Sequence, residues 1–121
     1  MKILYLTKFL PYPAYGGGLK RNLAWINFFK KRVEIDVLGF YNEQINNKTY
    51  FDYNDNLKIN YIKFKKNLVK AGLMSIAHGS SLINSQYYSK PMEIKIKERI
   101  KNNNYDYVFI SEIAMAKYAK F

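Results

Sequence analysis

The sequence predicts an α/β fold in which helices cover a mainly parallel sheet. Short apolar runs alternate with amphipathic segments along the 121 residues, and this alternation is typical of βαβ units. Hydrophobic residues make up 49% of the chain and aromatic residues 17%, which favours a folded core over disorder. The length suits one small domain rather than two. We therefore expect a single Rossmann-like three-layer sandwich over residues 1–121.

The first forty residues form the clearest βαβ unit. Lys2–Thr7 is an apolar run that predicts a buried strand, and Val33–Gly39 predicts a second one. Apolar spacings of four and three predict a helix over Leu19–Arg32 between them. The apolar face of this helix consists of Leu19, Leu23, Ile26 and Phe29. Strands joined by such a crossover lie parallel.

The segment between that strand and helix, Lys8–Gly18, is predicted to be a loop and contains the first candidate site. Glycine lets the backbone approach a ligand, and the amides that begin a helix favour phosphate. The alternative is that the glycines only form a tight turn, since they match neither the dinucleotide nor the phosphate-loop motif. The unusual length of the loop favours binding. The candidate residues here are Gly16, Gly17, Gly18, Lys20 and Arg21.

The middle of the chain continues the alternation. Tyr41–Asn56 is rich in asparagine, which predicts a surface connection with at most one helical turn. Leu57–Phe64 alternates apolar with polar residues and predicts a third strand near a sheet edge. Leu68–Ile83 predicts a helix interrupted by two glycines.

The last third of the chain adds two helices and a strand. Met92–Lys101 predicts a helix with Pro91 in its first turn and Ser89 as its cap. Tyr105–Ile110 predicts a fourth strand, and Ser111 is the expected cap of a final helix.

Ser111 and Glu112 form the second candidate site, because they follow the fourth strand. The carboxyl ends of parallel strands share one edge of the sheet, where ligands bind. The glycine segment and these two residues should therefore meet at that edge. Glu112 is either a ligand-binding residue or a first-turn carboxylate favoured by the helix dipole. No residue is assigned a catalytic role.

The chain is strongly basic, with 20 Lys and Arg against 9 Asp and Glu and a net charge of +11. Such an excess attracts anionic partners, although a lysine-rich composition with abundant Asn, Ile and Tyr also follows from AT-rich coding DNA. Lys63–Lys70 is the densest basic segment, and it either docks on anionic lipid or is a solvated strand end. Nucleic acid is not expected as a partner, because the nearby aromatic residues occupy strand positions.

Other features limit the function further. The chain lacks cysteine and has one histidine, His78, so neither a metal site nor a cofactor is expected. No apolar run is long enough to span a membrane, and no signal peptide is visible. These features favour the cytoplasm, with peripheral contact at the inner membrane face as the alternative.

Two separated stretches together resemble a known family. The first runs from the strand ending at Thr7 through Lys8–Gly18 to Lys20–Asn22. The second comprises Tyr87–Glu93, Tyr105–Val108 and the segment from Glu112 to Tyr118. In this order they resemble the amino-terminal domain of family-four glycosyltransferases with the GT-B fold.

This resemblance implies a retaining enzyme that moves a sugar from a nucleotide-sugar donor to a cell-surface glycan or lipid-linked acceptor. The amino-terminal domain would hold the acceptor, and its glycine segment would approach the donor phosphates. A carboxyl-terminal domain with two glutamates seven residues apart would bind the donor, and this chain has no such domain. Ser111-Glu112 also stands where the family often has a histidine, and the resemblance implies that Glu112 would bind an acceptor hydroxyl there instead.

Phe121 falls inside a helical pattern without a stop signal. We therefore expect a fragment, the acceptor-side part of the enzyme, which does not transfer sugar alone. Two alternatives from other classes are a stand-alone nucleotide- or anion-binding module and a peripheral membrane-associated protein.

Overall fold

A computed structural model describes residues 1–51, 56–64, 73, 76 and 87–120. The predicted α/β fold is confirmed, since four strands form one all-parallel sheet in the order β3-β2-β1-β4. The elements, with two 3-10 segments left unlabelled, are β1 Lys2–Phe9, α1 Gly17–Lys30, β2 Glu34–Tyr41, 3-10 turn Lys48–Tyr50, β3 Leu57–Lys63, α2 Lys90–Asn102, β4 Tyr107–Ile110 and 3-10 helix Ile113–Lys120.

Helices cover both faces of the sheet, as a three-layer sandwich requires. Side chains alternate along β1, so Tyr5 faces α1 while Leu4 and Leu6 face α2. The core on the α1 side contains Tyr5, Leu10, Tyr12, Ile26, Ile35, Val37 and Leu57. The core on the α2 side contains Leu4, Leu6, Leu38, Phe40, Met92, Ile96, Met115 and Tyr118.

Both outer strands of the described sheet behave as edges. The prediction that β3 lies near an edge is confirmed. At the opposite edge, β4 leaves Tyr107 and Val108 exposed, one on each face of the sheet. On the α1 face, Phe109 of β4 lies 5.7 Å from the ring of Trp25, measured between ring centroids.

The predicted loop Lys8–Gly18 is too long at both ends. Lys8 and Phe9 continue β1, because Phe9 still pairs with Phe40 of β2 beyond an irregularity after Thr7. Gly17 and Gly18 belong to the first turn of α1.

Close contact between β1 and β2 fixes the carboxyl end of β1. A Cβ at Gly39 would lie 2.7 Å from Thr7 Cγ2 and 2.9 Å from the Thr7 carbonyl oxygen. Only glycine therefore lets β2 lie this close to Thr7, which belongs to the site described below.

Some predictions lie outside the described residues. They concern His78, the basic segment beyond Phe64, and the helix over Leu68–Ile83 apart from Leu73 and Ile76, which are helical and exposed. Within the described part of the chain, no helix is long and apolar enough to cross a membrane.

Candidate functional site

The amino terminus of α1 is exposed and has no side-chain cap. Gly16 is the capping residue, with φ 82° and ψ 167°, a conformation that strains any residue with a Cβ. The first turn contains no acidic residue, and the first intrahelical bond runs from the Lys20 amide to the Gly16 carbonyl at 3.1 Å. The amides of Gly17, Gly18 and Leu19 accordingly have no intrahelical acceptor.

The backbone conformation explains why residue 16 is glycine, but it does not explain the glycines at positions 17 and 18. Gly17 and Gly18 are helical, and a Cβ at either would meet no atom within 4 Å. Alanine would fit at both positions and would favour the helix, since glycine destabilises a helix by about 0.5–1 kcal/mol. A tight turn therefore accounts for one glycine, whereas the other two leave an open approach to the backbone amides.

Lys20 and Arg21 place positive charge beside these amides. Both side chains are exposed on α1, one turn after the cap. Their charges add to the positive end of the helix dipole, and such an arrangement favours a phosphate or another oxyanion.

Glu112 ties the turn after β4 to β1 and α1. One carboxylate oxygen accepts the Lys8 amide proton at 2.6 Å, and the other accepts from Asn22 Nδ2 at 2.5 Å. The interpretation of Glu112 as a first-turn carboxylate is wrong, because its oxygens bond to β1 and α1 rather than to amides of the following 3-10 helix. The turn after β4 therefore lies at the carboxyl end of β1 and beside α1.

Asn22 links this carboxylate to the buried interior. Its amide nitrogen also donates to Thr7 Oγ1 at 3.0 Å, and its oxygen accepts from the Tyr5 hydroxyl at 3.1 Å. Thr7 in turn donates to the Phe9 carbonyl at 3.0 Å. Tyr5, Thr7 and Asn22 are fully buried, so these bonds satisfy polar groups that water does not reach. We call Tyr5, Thr7, Asn22 and Glu112 the buried polar network.

Sequence reasoning missed Tyr5, Thr7 and Asn22 as members of this site. A signal was present, because Asn22 lies between Leu19 and Ile26 on the predicted apolar face, at spacings of three and four. A polar residue on such a face requires a buried hydrogen-bonding partner.

Ser111 does not cap the final helix, so that prediction is wrong. Its Oγ is buried and forms no hydrogen bond within the described chain, while its amide donates to the Leu6 carbonyl at 3.0 Å. The hydroxyl lies close enough to Tyr5 to favour the ionised phenol, but burial is the larger effect and raises the Tyr5 pKa. Tyr5 therefore remains a neutral hydrogen-bond donor.

The arrangement offers an anion site in front of a rigid support. Exposed amides and two cations lie at the surface, and the buried polar network fixes α1 against β1 and β4. The described residues contain no group of three or more His, Cys, Asp or Glu side chains that could hold a metal ion. A cavity of about 530 Å³ on the α2 side of β4 is a weaker candidate, because core residues such as Ile96, Ile100 and Ile110 line it.

The fold and this edge define a class, a Rossmann-like α/β domain with a basic, glycine-containing helix amino terminus. Comparisons with protein-family models, curated proteins and solved structures returned no match.

Proposed function

We propose that the chain is the acceptor-side domain of a retaining GT-B glycosyltransferase. In this proposal, the α1 amino terminus contacts the diphosphate of a nucleotide-sugar donor. The observation that carries the proposal is the pair Gly17 and Gly18, which are exposed, helical and without a steric need to be glycine. The resemblance of residues 7–37 and 87–118 to family-four enzymes supports the same conclusion.

The chemistry expected of this domain is electrostatic. Negative charge builds up on the leaving nucleoside diphosphate as the bond to the sugar breaks, and fixed donors lower the energy of that state. The free amides of α1 with Lys20 and Arg21 would supply such donors. The buried polar network would keep them in place, because it holds α1 to β1 and β4.

The partners belong to the same proposal. They are a nucleotide-sugar donor, a glycan or lipid-linked acceptor, and a carboxyl-terminal donor domain without which no sugar is transferred. The location is the cytoplasm, with contact at the inner membrane face through the basic segment Lys63–Lys70. Of that segment, Lys63 and Phe64 are described, and Lys63 forms an exposed ion pair with Glu43.

The diphosphate site is tested by NMR titration of the chain with pyrophosphate, UDP and GDP. We expect the amide signals of Gly17, Gly18 and Leu19 to shift, with similar affinity for all three ligands, since the donor domain would recognise the base. Binding should weaken with salt, because exposed charges are screened. Absence of these shifts would contradict the proposal, and discrimination between bases would favour the stand-alone nucleotide-binding module.

Charge neutralisation gives a matched comparison. Lys20→Gln with Arg21→Gln should weaken pyrophosphate binding about tenfold, which corresponds to about 1.4 kcal/mol. Lys95→Gln with Lys101→Gln removes the same charge from α2 and should have little effect. Equal weakening by both pairs would mean that net charge alone attracts the anion.

The larger assignment is tested on the gene. If the reading frame continues past Phe121 into a second α/β domain with two glutamates seven residues apart, the glycosyltransferase assignment is supported. A stop codon directly after Phe121 would contradict it.

A further inference from the structure

We infer that the outer edge of β4 binds an extended, acidic segment of a partner protein, which adds a strand to the sheet. In this mode of recognition, main-chain hydrogen bonds give affinity and alternate side chains of the added strand give specificity. The inference uses neither the glycine segment nor sugar transfer, so it stands or falls separately from the proposed function.

The outer edge of β4 offers backbone groups that no described strand uses. β4 is the last strand of the sheet and pairs with β1 on its inner side. The amide of Ser111, directly after β4, donates to the Leu6 carbonyl of β1 at 3.0 Å. Because backbone groups alternate in direction along a strand, those of Val108 and Ile110 face away from β1. These groups can bond to the backbone of an added strand.

The sequence of β4 does not protect this edge against pairing. Edge strands are commonly protected by proline, by a charged side chain or by a bulge. Tyr107–Ile110 contains neither proline nor a charged residue, and its four pairs with β1 are consecutive. Four residues allow only a short ladder, so side-chain contacts must supply much of the affinity.

On the α2 side, the edge opens into the cavity of about 530 Å³. Val108 and Ile110 line this cavity from β4, and Val108 is 45% exposed. Ile96 and Ile100 line it from α2. An aliphatic side chain of an added strand would fill the cavity and remove apolar surface from water, which favours binding.

On the α1 side, exposed aromatic rings lie beside the same strand. Trp25 is 42% exposed, Phe28 46% and Tyr107 62%. The ring centroid of Trp25 lies 5.7 Å from that of Phe109 and 6.0 Å from that of Phe28. Tyr107 and Phe109 lie on one face of β4, since they are two residues apart. An added strand would therefore contact aromatic rings on this face, and exposed apolar patches of this kind mark interaction sites.

Cations lie near the edge on both faces of the sheet. On the α1 side, the Arg32 guanidinium carbon lies 3.9 Å from the Phe28 ring centroid. Arg32 is exposed and forms no ion pair in the described chain. On the α2 side, Lys120 is exposed directly after Ala119, which lines the cavity.

The acidic residues that flank β4 are already hydrogen-bonded. Asp106 accepts the Lys2 amide proton at 2.8 Å, and Glu112 accepts that of Lys8 at 2.6 Å. Carboxylates at the ends of an added strand would therefore complement the cations near the edge, which favours an acidic partner.

The charge of the whole chain disfavours a second copy as the occupant. The net charge is +11, so two copies repel each other, whereas an acidic segment is attracted. The same charge makes a basic or neutral partner segment the weaker fit.

The test is an NMR titration of the chain with three peptides that are capped at both ends. The first is Glu-Glu-Ile-Thr-Val-Thr-Glu-Glu. The second has lysine in place of each glutamate, and the third has proline in place of each threonine of the first. We expect the acidic peptide at millimolar concentration to shift the backbone amide signals of Val108 and Ile110. The basic peptide should bind about tenfold more weakly. The proline peptide should not shift these signals, since proline cannot donate to a ladder.

Two matched pairs of variants locate the binding. Tyr107→Ala should weaken binding of the acidic peptide about threefold, whereas Tyr50→Ala, which removes a 58% exposed tyrosine from the 3-10 turn, should leave it unchanged. Arg32→Gln should also weaken it about threefold. Lys58→Gln removes the same charge from β3, at the opposite edge of the sheet, and should have no effect. Dispersed amide spectra verify that each variant is folded.

Three results would overturn the inference. The first is the absence of shifts at Val108 and Ile110 with the acidic peptide. The second is equal weakening by each variant and its control, which would mean that binding is nonspecific. The third is a dimer of the chain alone whose contacts map to β4, which would assign the edge to a second copy. Lys20→Gln with Arg21→Gln should still bind the acidic peptide, so failure at the diphosphate site does not imply failure here.

Discussion

Asn22 uses every hydrogen-bonding group of its side chain inside the protein. Its nitrogen donates to Thr7 and Glu112, and its oxygen accepts from Tyr5. One residue on α1 therefore satisfies polar groups from β1 and from the turn after β4.

Replacing Asn22 by alanine should destabilise the fold. The change leaves the Tyr5 hydroxyl without its acceptor and Glu112 without one donor, and a buried unsatisfied group costs about 1–3 kcal/mol. We expect the free energy of unfolding to fall by about 2–4 kcal/mol in urea denaturation, because the lost side chain also leaves a cavity.

Asn27→Ala provides the control for that measurement. Asn27 lies on the same helix, is half-buried and forms no hydrogen bond through its side chain in the described chain. Its replacement should change stability by less than about 0.5 kcal/mol. Equal losses for both variants would show that the network contributes nothing particular.

At this scale, the sequence allowed part of the site to be predicted. Gly16, Lys20 and Arg21 were found from local pattern alone, because a positive φ and exposed charge depend on near neighbours. The role of Asn22 depends on its contact with Glu112, which is 90 positions away in the sequence. Local sequence patterns do not reveal a contact between residues so far apart.

At the scale of elements, two serines precede helices and only one caps. Ser89 Oγ accepts the Met92 amide proton at 3.3 Å, and Pro91 follows in the first turn of α2. Ser111 instead directs a buried hydroxyl towards Tyr5, and the helix after it is a 3-10 helix.

The two serine-to-alanine changes should therefore differ. Ser89→Ala should lower the free energy of unfolding by about 0.5–2 kcal/mol, the usual effect of a lost cap. Ser111→Ala should be close to neutral, since it removes a buried hydroxyl that makes no hydrogen bond within the described chain. Thermal unfolding of both variants would measure the contrast, and a larger loss for Ser111→Ala would contradict it.

Element type was more predictable than element boundaries. Periodicity identified all four described strands and both described α-helices, because burial on one face leaves a repeating apolar pattern. The predicted loop Lys8–Gly18 was too long at both ends. Pairing of Phe9 with β2 extends β1 at one end, and Gly17 and Gly18 join the first turn of α1 at the other.

For the whole molecule, acid should lower stability through Glu93 of α2. The Tyr88 hydroxyl donates to the Glu93 carboxylate at 2.5 Å, and Lys97 Nζ donates to it at 2.9 Å. These hydrogen bonds, of which that from Tyr88 has the larger effect, lower the pKa of Glu93 from 4.5 to about 2. A carboxyl group with a lowered pKa stabilises the fold above its unfolded pKa, and this contribution is lost as pH falls through the folded value.

Glu93→Gln should therefore reduce the loss of stability between pH 4.5 and pH 2. Urea unfolding midpoints across that range should show the difference between wild type and variant shrinking as pH falls. Glu98→Gln is the control, because Glu98 is exposed on the same helix and has no ion pair in the described chain. A constant difference across the range would contradict the prediction.

The arrangement of the whole sheet was only partly accessible from sequence. Alternation predicted parallel strands and a shared carboxyl edge, and the bond from the Lys8 amide to Glu112 shows that the turn after β4 lies against the end of β1. The strand order and the contact between the β1–α1 loop and the segment after β2 depend on side-chain contacts such as those of Asn46, which periodicity does not encode.

The aromatic packing between α1 and β4 also gives the protein an optical reporter. Trp25 is the single tryptophan of the chain, is 42% exposed and stacks on Phe29 beside Phe109 of the edge strand. Its fluorescence emission therefore comes from one partly hydrated indole at that edge. A molecule that covers the exposed part of this indole should shift the emission to shorter wavelength.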